Sequence, residues 1–223
     1  DPVCWYAGLQ SRILQLNVEG LTNAKISVIE HMAHTTQAMV ILLQETHRPT
    51  ADKLAITNFT LAGSILSKKH GLATFVHNDL SWTLADRSPE NSEIEWLRVD
   101  VGDIKIVNVY KPPPSQLTPV SLPVLEPPCV YAGDFNCRHT RWGYSTTSPS
   151  GETLSDWAER NSLNLLYNPK GPASFHSARH NTDTNPDLAF VSVGVDTQLP
   201  DRRALGMFPR SQHRPSLISV LDL

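Results

Sequence analysis

Apolar runs of strand length, each broken off by a polar residue, constrain this chain more than any other feature of its sequence. Met39–Leu43 is continuous and apolar, too short for a core helix and the right length for a strand covered on both faces. It leads straight into Gln44 and Glu45. Cys129–Ala132 repeats the pattern and runs into Gly133-Asp134-Phe135-Asn136. In Ile13–Val18, Leu14, Leu16 and Val18 alternate with Gln15 and Asn17, the period of a half-buried strand. Further strands are predicted at Phe59–Leu66, Leu72–His77, Trp82–Asp86, Leu163–Leu166, Leu188–Val191 and Leu217–Val220. Ile94–Val101 and Ile104–Tyr110 read as a hairpin turning at Gly102-Asp103. Helical periodicity is confined to two places. One helix is capped by Thr22 or Asn23 with Ile26, Ile29, Met32 and Ala33 on one face, and the other, between about Gly151 and Asn161, sets Leu154, Trp157 and Ala158 on one face. Many strands and few helices in mixed order predict an α/β protein with two sheets and outer helices.

With 223 residues and 40% hydrophobic content, the chain reads as one globular domain over 1–223. Surface scaling implies that about 72% of the unfolded surface is buried, so no covalent staples are needed. Three scattered cysteines exclude a disulfide scaffold. The longest apolar run, Met39–Leu43, is too short for a membrane span, no signal peptide is evident, and the start at Asp1-Pro2 reads as that of an excised domain. Pro112–Pro128 holds seven of the 17 prolines and is expected to be a surface loop or extended connector. It could mark a domain boundary, but the matching apolar segments on either side favour a single domain. The net charge of −3 argues against a protein that coats nucleic acid electrostatically. It leaves room for an enzyme that touches nucleic acid locally and keeps acidic residues in a metal site.

Asn17, Glu45, Tyr110, Asp134 with Asn136, Asp187 and His213 each lie at or beside the end of an apolar strand-like segment. Strand ends converging on one rim are where such scaffolds place catalytic groups. At these residues the sequence resembles the exonuclease–endonuclease–phosphatase superfamily, above all the apurinic-like endonuclease domains of non-LTR (LINE-type) retrotransposons. The matching segments are Leu16-Asn17-Val18-Glu19-Gly20-Leu21, Gln44-Glu45-Thr46-His47, Asn108-Val109-Tyr110, Gly133-Asp134-Phe135-Asn136, Asn185-Pro186-Asp187-Leu188 and Ser211-Gln212-His213-Arg214-Pro215. They occur in the family's order across nearly the whole chain. The resemblance implies a four-layer α/β/β/α sandwich of two mixed sheets flanked by helices, the DNase I-like fold. It also implies divalent-metal-dependent cleavage of phosphodiesters in DNA, with 3′-hydroxyl and 5′-phosphate ends. The biological role it implies is nicking of chromosomal DNA in the nucleus to prime reverse transcription, by a monomeric domain linked to a reverse transcriptase.

Phosphodiester hydrolysis needs an activated water in line with the leaving oxygen and counter-charge for the phosphate. A hard cation such as Mg²⁺, with Mn²⁺ as a substitute, takes a few carboxylate oxygens and keeps waters. Glu45 fits the ligand role, with Asn17 as a second ligand or as the orienter of a bound water or phosphate. Asp134 can activate or orient the water, and Asn136 can donate its amide to phosphate oxygens. In the family the histidine matching His213 pairs with the aspartate matching Asp187; such a pair raises the imidazole pKa and lets a cationic ring stabilise the transition state. Tyr110 can donate its hydroxyl to the same phosphate. Ser174, Ser211, Arg138, Arg141 and Arg214 are further candidates for substrate contact. One departure stands out: the family's usual Ser-Asp-His is Ser211-Gln212-His213, a neutral amide in place of a carboxylate, which predicts weaker metal affinity or an altered metal position.

Other signals are weaker. His31/His34 and His176/His180 have spacings that could hold a transition metal on a helix but are expected to be solvated, and Cys129 and Cys137 read as ordinary thiols. Trp142 and Tyr144 either lie against an unstacked nucleotide or pack in the core. Lys68-Lys69-His70 and Arg202-Arg203 with Arg210 add local positive charge. The sequence therefore predicts a Mg²⁺-dependent DNA endonuclease. Its rivals are an abasic-site repair endonuclease, a phosphatase of small phosphoesters, and a degenerate domain that binds DNA or protein without cleaving.

Overall fold

A computed structural model describes residues 10–193 and 200–221. The chain opens with β1 (Gln10–Asn17), α1 (Asn23–Thr36) and β2 (Ala38–Gln44), followed by β3 (Phe59–Ile65) and β4 (Leu72–His77). β5 (Trp82–Arg87), β6 (Glu95–Val101) and β7 (Ile104–Tyr110) form a meander, and β8 (Cys129–Asp134) returns parallel to β7. A short 3₁₀ turn at Thr140–Trp142 precedes α2 (Pro149–Arg160), β9 (Asn164–Leu165), β10 (Phe175–Ser177), β11 (Thr182–Thr184), β12 (Asp187–Ser192), β13 (Asp201–Ala204) and β14 (Ser216–Leu221). The first six-stranded sheet has the order β13-β14-β1-β2-β4-β3, the second has β5-β6-β7-β8-β12-β9, and β10-β11 is a separate hairpin.

The two sheets meet face to face through Ile13, Val40, Leu42 and Ile218 from one and Val99, Ile106, Val130 and Val191 from the other. α1 lays Ile29 and Ala33 on the outer face of the first sheet against Leu14, Leu16, Ile41 and Phe75. α2 covers the second with Leu154, Trp157 and Ala158 against Val107, Tyr131 and Phe190. This is the α/β/β/α sandwich that the sequence resemblance implies. Both helices start where side-chain oxygens satisfy the free N–H groups of a first turn: Thr22 accepts from the Lys25 N–H, and Ser148 accepts from the Gly151 N–H ahead of a Pro at the first position. Among the described residues, no helix is long and apolar enough to cross a membrane.

Three local expectations need revision. The alternation in β1 predicts a solvent-facing polar side, yet Gln15 and Asn17 are fully buried because that side faces the second sheet. A chain of amides takes up the Gln15 nitrogen, Gln15 Nε2 donating to Gln44 Oε1 (2.7 Å) and Gln44 Nε2 to Asn108 Oδ1 (2.7 Å), while Gln15 Oε1 has no hydrogen-bond partner among the described residues. The proline-rich segment is irregular, but it is more than a surface loop: Leu117 and Leu122 press into the core beside α2, and the Tyr131 hydroxyl donates to Pro123 O (2.8 Å). The β10–β11 hairpin and β13 had no apolar periodicity to announce them. Gly133 marks the tightest backbone contact between β7 and β8. Its φ is +154°, and a Cβ there would lie 1.9 Å from Val109 O, so only glycine fits.

Candidate active site

Register builds the site. In the second sheet Tyr110 pairs with Asp134 across parallel strands, and Asp134 pairs with Asp187 across antiparallel ones, so the end of β7, the end of β8 and the start of β12 lie side by side. In the first sheet Asn17 pairs with Gln44, which puts Glu45 one residue beyond at the same edge, with φ +51° turning the chain. His213 arrives on the approach to β14 through a backbone bridge to Phe175, whose ring meets the imidazole edge-on at 4.8 Å.

Asn17 joins the two halves. Its Nδ2 donates to Glu45 Oε1 (3.0 Å) and to Asp134 Oδ2 (2.8 Å), while its Oδ1 accepts from the Glu19 N–H (3.0 Å). The amide nitrogen thus faces the site as a donor bridging two carboxylates, and the oxygen that a metal would need is engaged elsewhere. This arrangement suits positioning rather than the ligand role expected from the sequence. His213 Nδ1 donates to Asp187 Oδ2 (2.7 Å), leaving Nε2 at 4.0 Å from Asp134 Oδ2. Asp187 Oδ1 accepts from Gln15 Nε2 (3.0 Å), so both carboxylate oxygens are held from behind.

Electrostatics follow from this geometry. Burial alone would lower the His213 pKa, but the charge and hydrogen bond of Asp187, with Asp134 and Glu19 nearby, bring it up to about 9. The ring is therefore cationic at neutral pH. Burial, then the charge of Asp187, holds the Asp134 carboxyl well above the usual carboxylate range, a condition suited to accepting a proton. Burial and the neighbouring Glu45, to which it hydrogen-bonds, push the Tyr110 phenol up, so it remains a donor.

The remaining candidates divide. Asn136 sits at φ +44° beside Asp134, its N–H donating to Asp134 Oδ1 (3.1 Å) and its Nδ2 to Lys111 O (3.0 Å). Arg138 is exposed and lines a cavity of about 450 Å³ with Asn136, Lys111 and Tyr144. Ser174 and Ser211 are buried behind the rim: Ser174 Oγ accepts from the Asp187 N–H (3.2 Å), and Ser211 Oγ donates to Asn17 O (2.9 Å) and accepts from the His213 N–H (3.1 Å). Arg214 is turned onto Ala173 O (2.6 Å) and Asp183 (3.3 Å). Arg141 is not brought to the site, since its guanidinium donates to Ser155 Oγ on α2 (2.8 Å). Trp142 is a core residue, fully buried and stacked on His139, and Tyr144 packs against the same cluster. His31 and His34 are exposed on α1, whereas His176 lies on a strand and meets Asp183 at 3.2 Å, so the second histidine pair has no helix to share. Cys129 and Cys137 are buried free thiols.

Sequence reasoning missed Gln15, Asn108 and Glu19. Gln15 sits on its strand as if facing water, and Asn108 lies inside the matching Asn108–Tyr110 segment on the same face as Ile104 and Ile106. Glu19 lies inside the matching Asn17–Gly20 segment, and that position was its signal. Asp134, Asp187 and His213 form the one group of three metal-ligating side chains within 4.8 Å among the described residues. Both Asp187 oxygens are occupied there and His213 is protonated, so that trio is poorly suited to ligation. Glu45 is the better metal residue. Its side chain is 20% exposed, its Oε2 lies 3.4 Å from His47 Nε2, its carboxylate accepts from the Tyr110 hydroxyl, and it shares Asn17 with a second carboxylate. Such an acidic rim fits a hard divalent cation, which would relieve the repulsion.

Known proteins place this geometry. Among solved structures, the endonuclease domain of TRAS1, a telomere-specific non-LTR retrotransposon, is 18% identical with a TM-score of 0.66, over 94% of this chain and 98% of that one. An AP endonuclease from Leishmania major is 15% identical with a TM-score of 0.71, over 96% and 88%. A mannosyl-6-phosphatase from Bacteroides thetaiotaomicron is 14% identical with a TM-score of 0.63, over 96% and 100%. At these identities the likeness is one of fold. No curated protein matches by sequence. The endonuclease-reverse transcriptase family profile matches residues 104–216, just over half of the 223. That span takes in Tyr110, Asp134, Asn136, Asp187 and His213, and the chain belongs to the endonuclease-reverse transcriptase family.

Proposed function

We propose that this protein is a Mg²⁺-dependent DNA endonuclease that nicks target DNA and leaves a 3′-hydroxyl to prime reverse transcription. The observation that carries the proposal is the cationic His213, held by Asp187 and aimed toward Asp134, with Asn17 tying Asp134 to Glu45. In this reading Asp134 takes a proton from the attacking water as the water oxygen bonds to phosphorus and the bond from phosphorus to the 3′-oxygen breaks. His213 and Tyr110 donate to the non-bridging oxygens as their charge grows, Asn136 donates its amide to the same phosphate, and Arg138 meets a neighbouring phosphate. Asn17 keeps the two carboxylates in register, while Ser174 and Ser211 hold Asp187 and His213 from behind. Glu45 would hold the cation, which supplies counter-charge and Lewis acidity to the phosphate when bound. The family's description supports linkage to a reverse transcriptase; action in the nucleus by a single monomeric domain belongs to the same proposal.

Supercoiled-plasmid nicking tests this. Wild type is expected to nick with Mg²⁺ and stop when it is chelated, while Glu45→Ala and His213→Ala lose about 10²-fold or more. Absence of nicking by wild type overturns the proposal. Strong preference for an abasic duplex over intact plasmid would move the assignment to repair.

A further inference from the structure

Gln212 makes a set of contacts that no carboxylate could make. Its backbone N–H donates to Glu19 Oε2 (2.7 Å) and its Nε2 donates to Glu19 Oε1 (3.3 Å). Its Oε1 accepts from the Ala178 N–H (3.1 Å), and its carbonyl accepts from the His176 N–H (2.9 Å). One residue therefore joins two separate pieces of the protein. Glu19 lies just past β1, and its own N–H holds the oxygen of Asn17, the bridge between Glu45 and Asp134. His176 lies in β10 and Ala178 in the turn beyond it, a hairpin whose Phe175 packs on His213. A side-chain amide can donate to a carboxylate and accept from an N–H at once; Asp or Glu can only accept, and would set two carboxylates against each other.

We infer that Gln212 is a positioning residue that clamps the β10–β11 hairpin to the Glu19 end of the catalytic rim. The hairpin pairs with neither large sheet and its residues are half-buried or exposed; besides Gln212 it is held by the backbone bridge and ring contact of Phe175 with His213, by Arg214 through Asp183 and by Tyr144 through Thr184. Short exposed elements of this kind sit at the low end of local stability, so the Ala178 N–H bond to a Gln212 amide that Glu19 holds in place adds to what keeps the hairpin docked. The clamp presents a pre-set hairpin beside His213 instead of one ordered only when substrate arrives. Its relevance to DNA rests on the endonuclease reading; the clamp itself is a property of the free protein.

The test is amide hydrogen exchange in metal-free protein. Ala178 exchange should rise about tenfold or more in Gln212→Glu and Gln212→Ala, while the Tyr131 amide in β8 keeps its protection and reports that the fold is intact. The swapped pair, Glu19→Gln with Gln212→Glu, restores one donor and one acceptor and should recover most of the Ala178 protection. Unchanged exchange in Gln212→Glu, or no recovery in the swapped pair, overturns the clamp. In nicking kinetics Gln212→Ala should raise KM for DNA more than it lowers kcat, and an effect on kcat alone counts against pre-docking. Wild type that fails to nick while the exchange pattern holds would sink the endonuclease reading and leave the clamp standing.

Discussion

His213 carries a positive charge inside the protein because Asp187, itself steadied by Gln15, stands beside it. Its folded pKa, about 9, lies above the ordinary imidazole value of 6.5, so the folded state binds the proton more tightly than the unfolded chain does. That contribution to stability is complete below about pH 6.5 and is lost as pH rises through about 9. Urea denaturation in chelator should show wild-type stability falling across this window, and the fall should be smaller in His213→Asn. Equal slopes in the two proteins would mean the ring is not charged in the folded state. The sequence made such candidate site residues visible because a polar group that cuts off an apolar run stands out. Asn108 falls in step with Ile104 and Ile106 on the inward face of its strand and lies inside a matching segment, so it was within reach of the sequence. Gln15 was hidden for the opposite reason: it sits inside a strand, and period-two alternation assigns it to water. Only the second sheet, remote in sequence, turns that face into an interior lined by amides.

Helices α1 and α2 were legible as elements because each sets its apolar residues on one face within one short window, α1 with its cap at Thr22 as well, and β4 and β7 match their apolar runs end to end. The β10–β11 hairpin and β13 were not. Phe175–Ser177, Thr182–Thr184 and Asp201–Ala204 are short and mostly polar, and they are strands because of their partners rather than their composition. The contact of β7 with β8 yields the sharpest prediction at this scale. Tyr110 and Asp134 are neighbours because these strands approach closely at Gly133, where a methyl group would meet the Val109 carbonyl at 1.9 Å. Gly133→Ala should cost about 3 kcal/mol or more, at or above the top of the ordinary overpacking range, read as a lowered urea midpoint. A variant within about 0.5 kcal/mol of wild type would show that the strand pair can part without penalty.

Across the whole molecule, the net charge of −3 is distributed with consequence. Several arginines that the sequence offers to DNA are engaged internally: Arg202 on Asp187 O and Ser216, Arg141 on Ser155, and Arg214 on Ala173 and Asp183. Lys68, Lys69, Arg138 and Arg210 remain exposed. On the endonuclease reading such a surface neutralises few phosphates, so DNA affinity should fall with log salt at a slope of only about −2 to −4 in an anisotropy titration. A slope near −8 would mean a far more extensive basic footprint. The sheet order carries a different consequence. β14 lies between β13 and β1, and the segment leading into it brings His213. A ribosome delivers that strand after every other described one, so β1 waits with an open edge and the growing chain has no imidazole with which to cut. On the endonuclease reading, a chain that stops short of residue 213 would be inert and would leave the β1 edge bare for other chains, while arrival of β14 covers that edge and brings His213 to the site in one event.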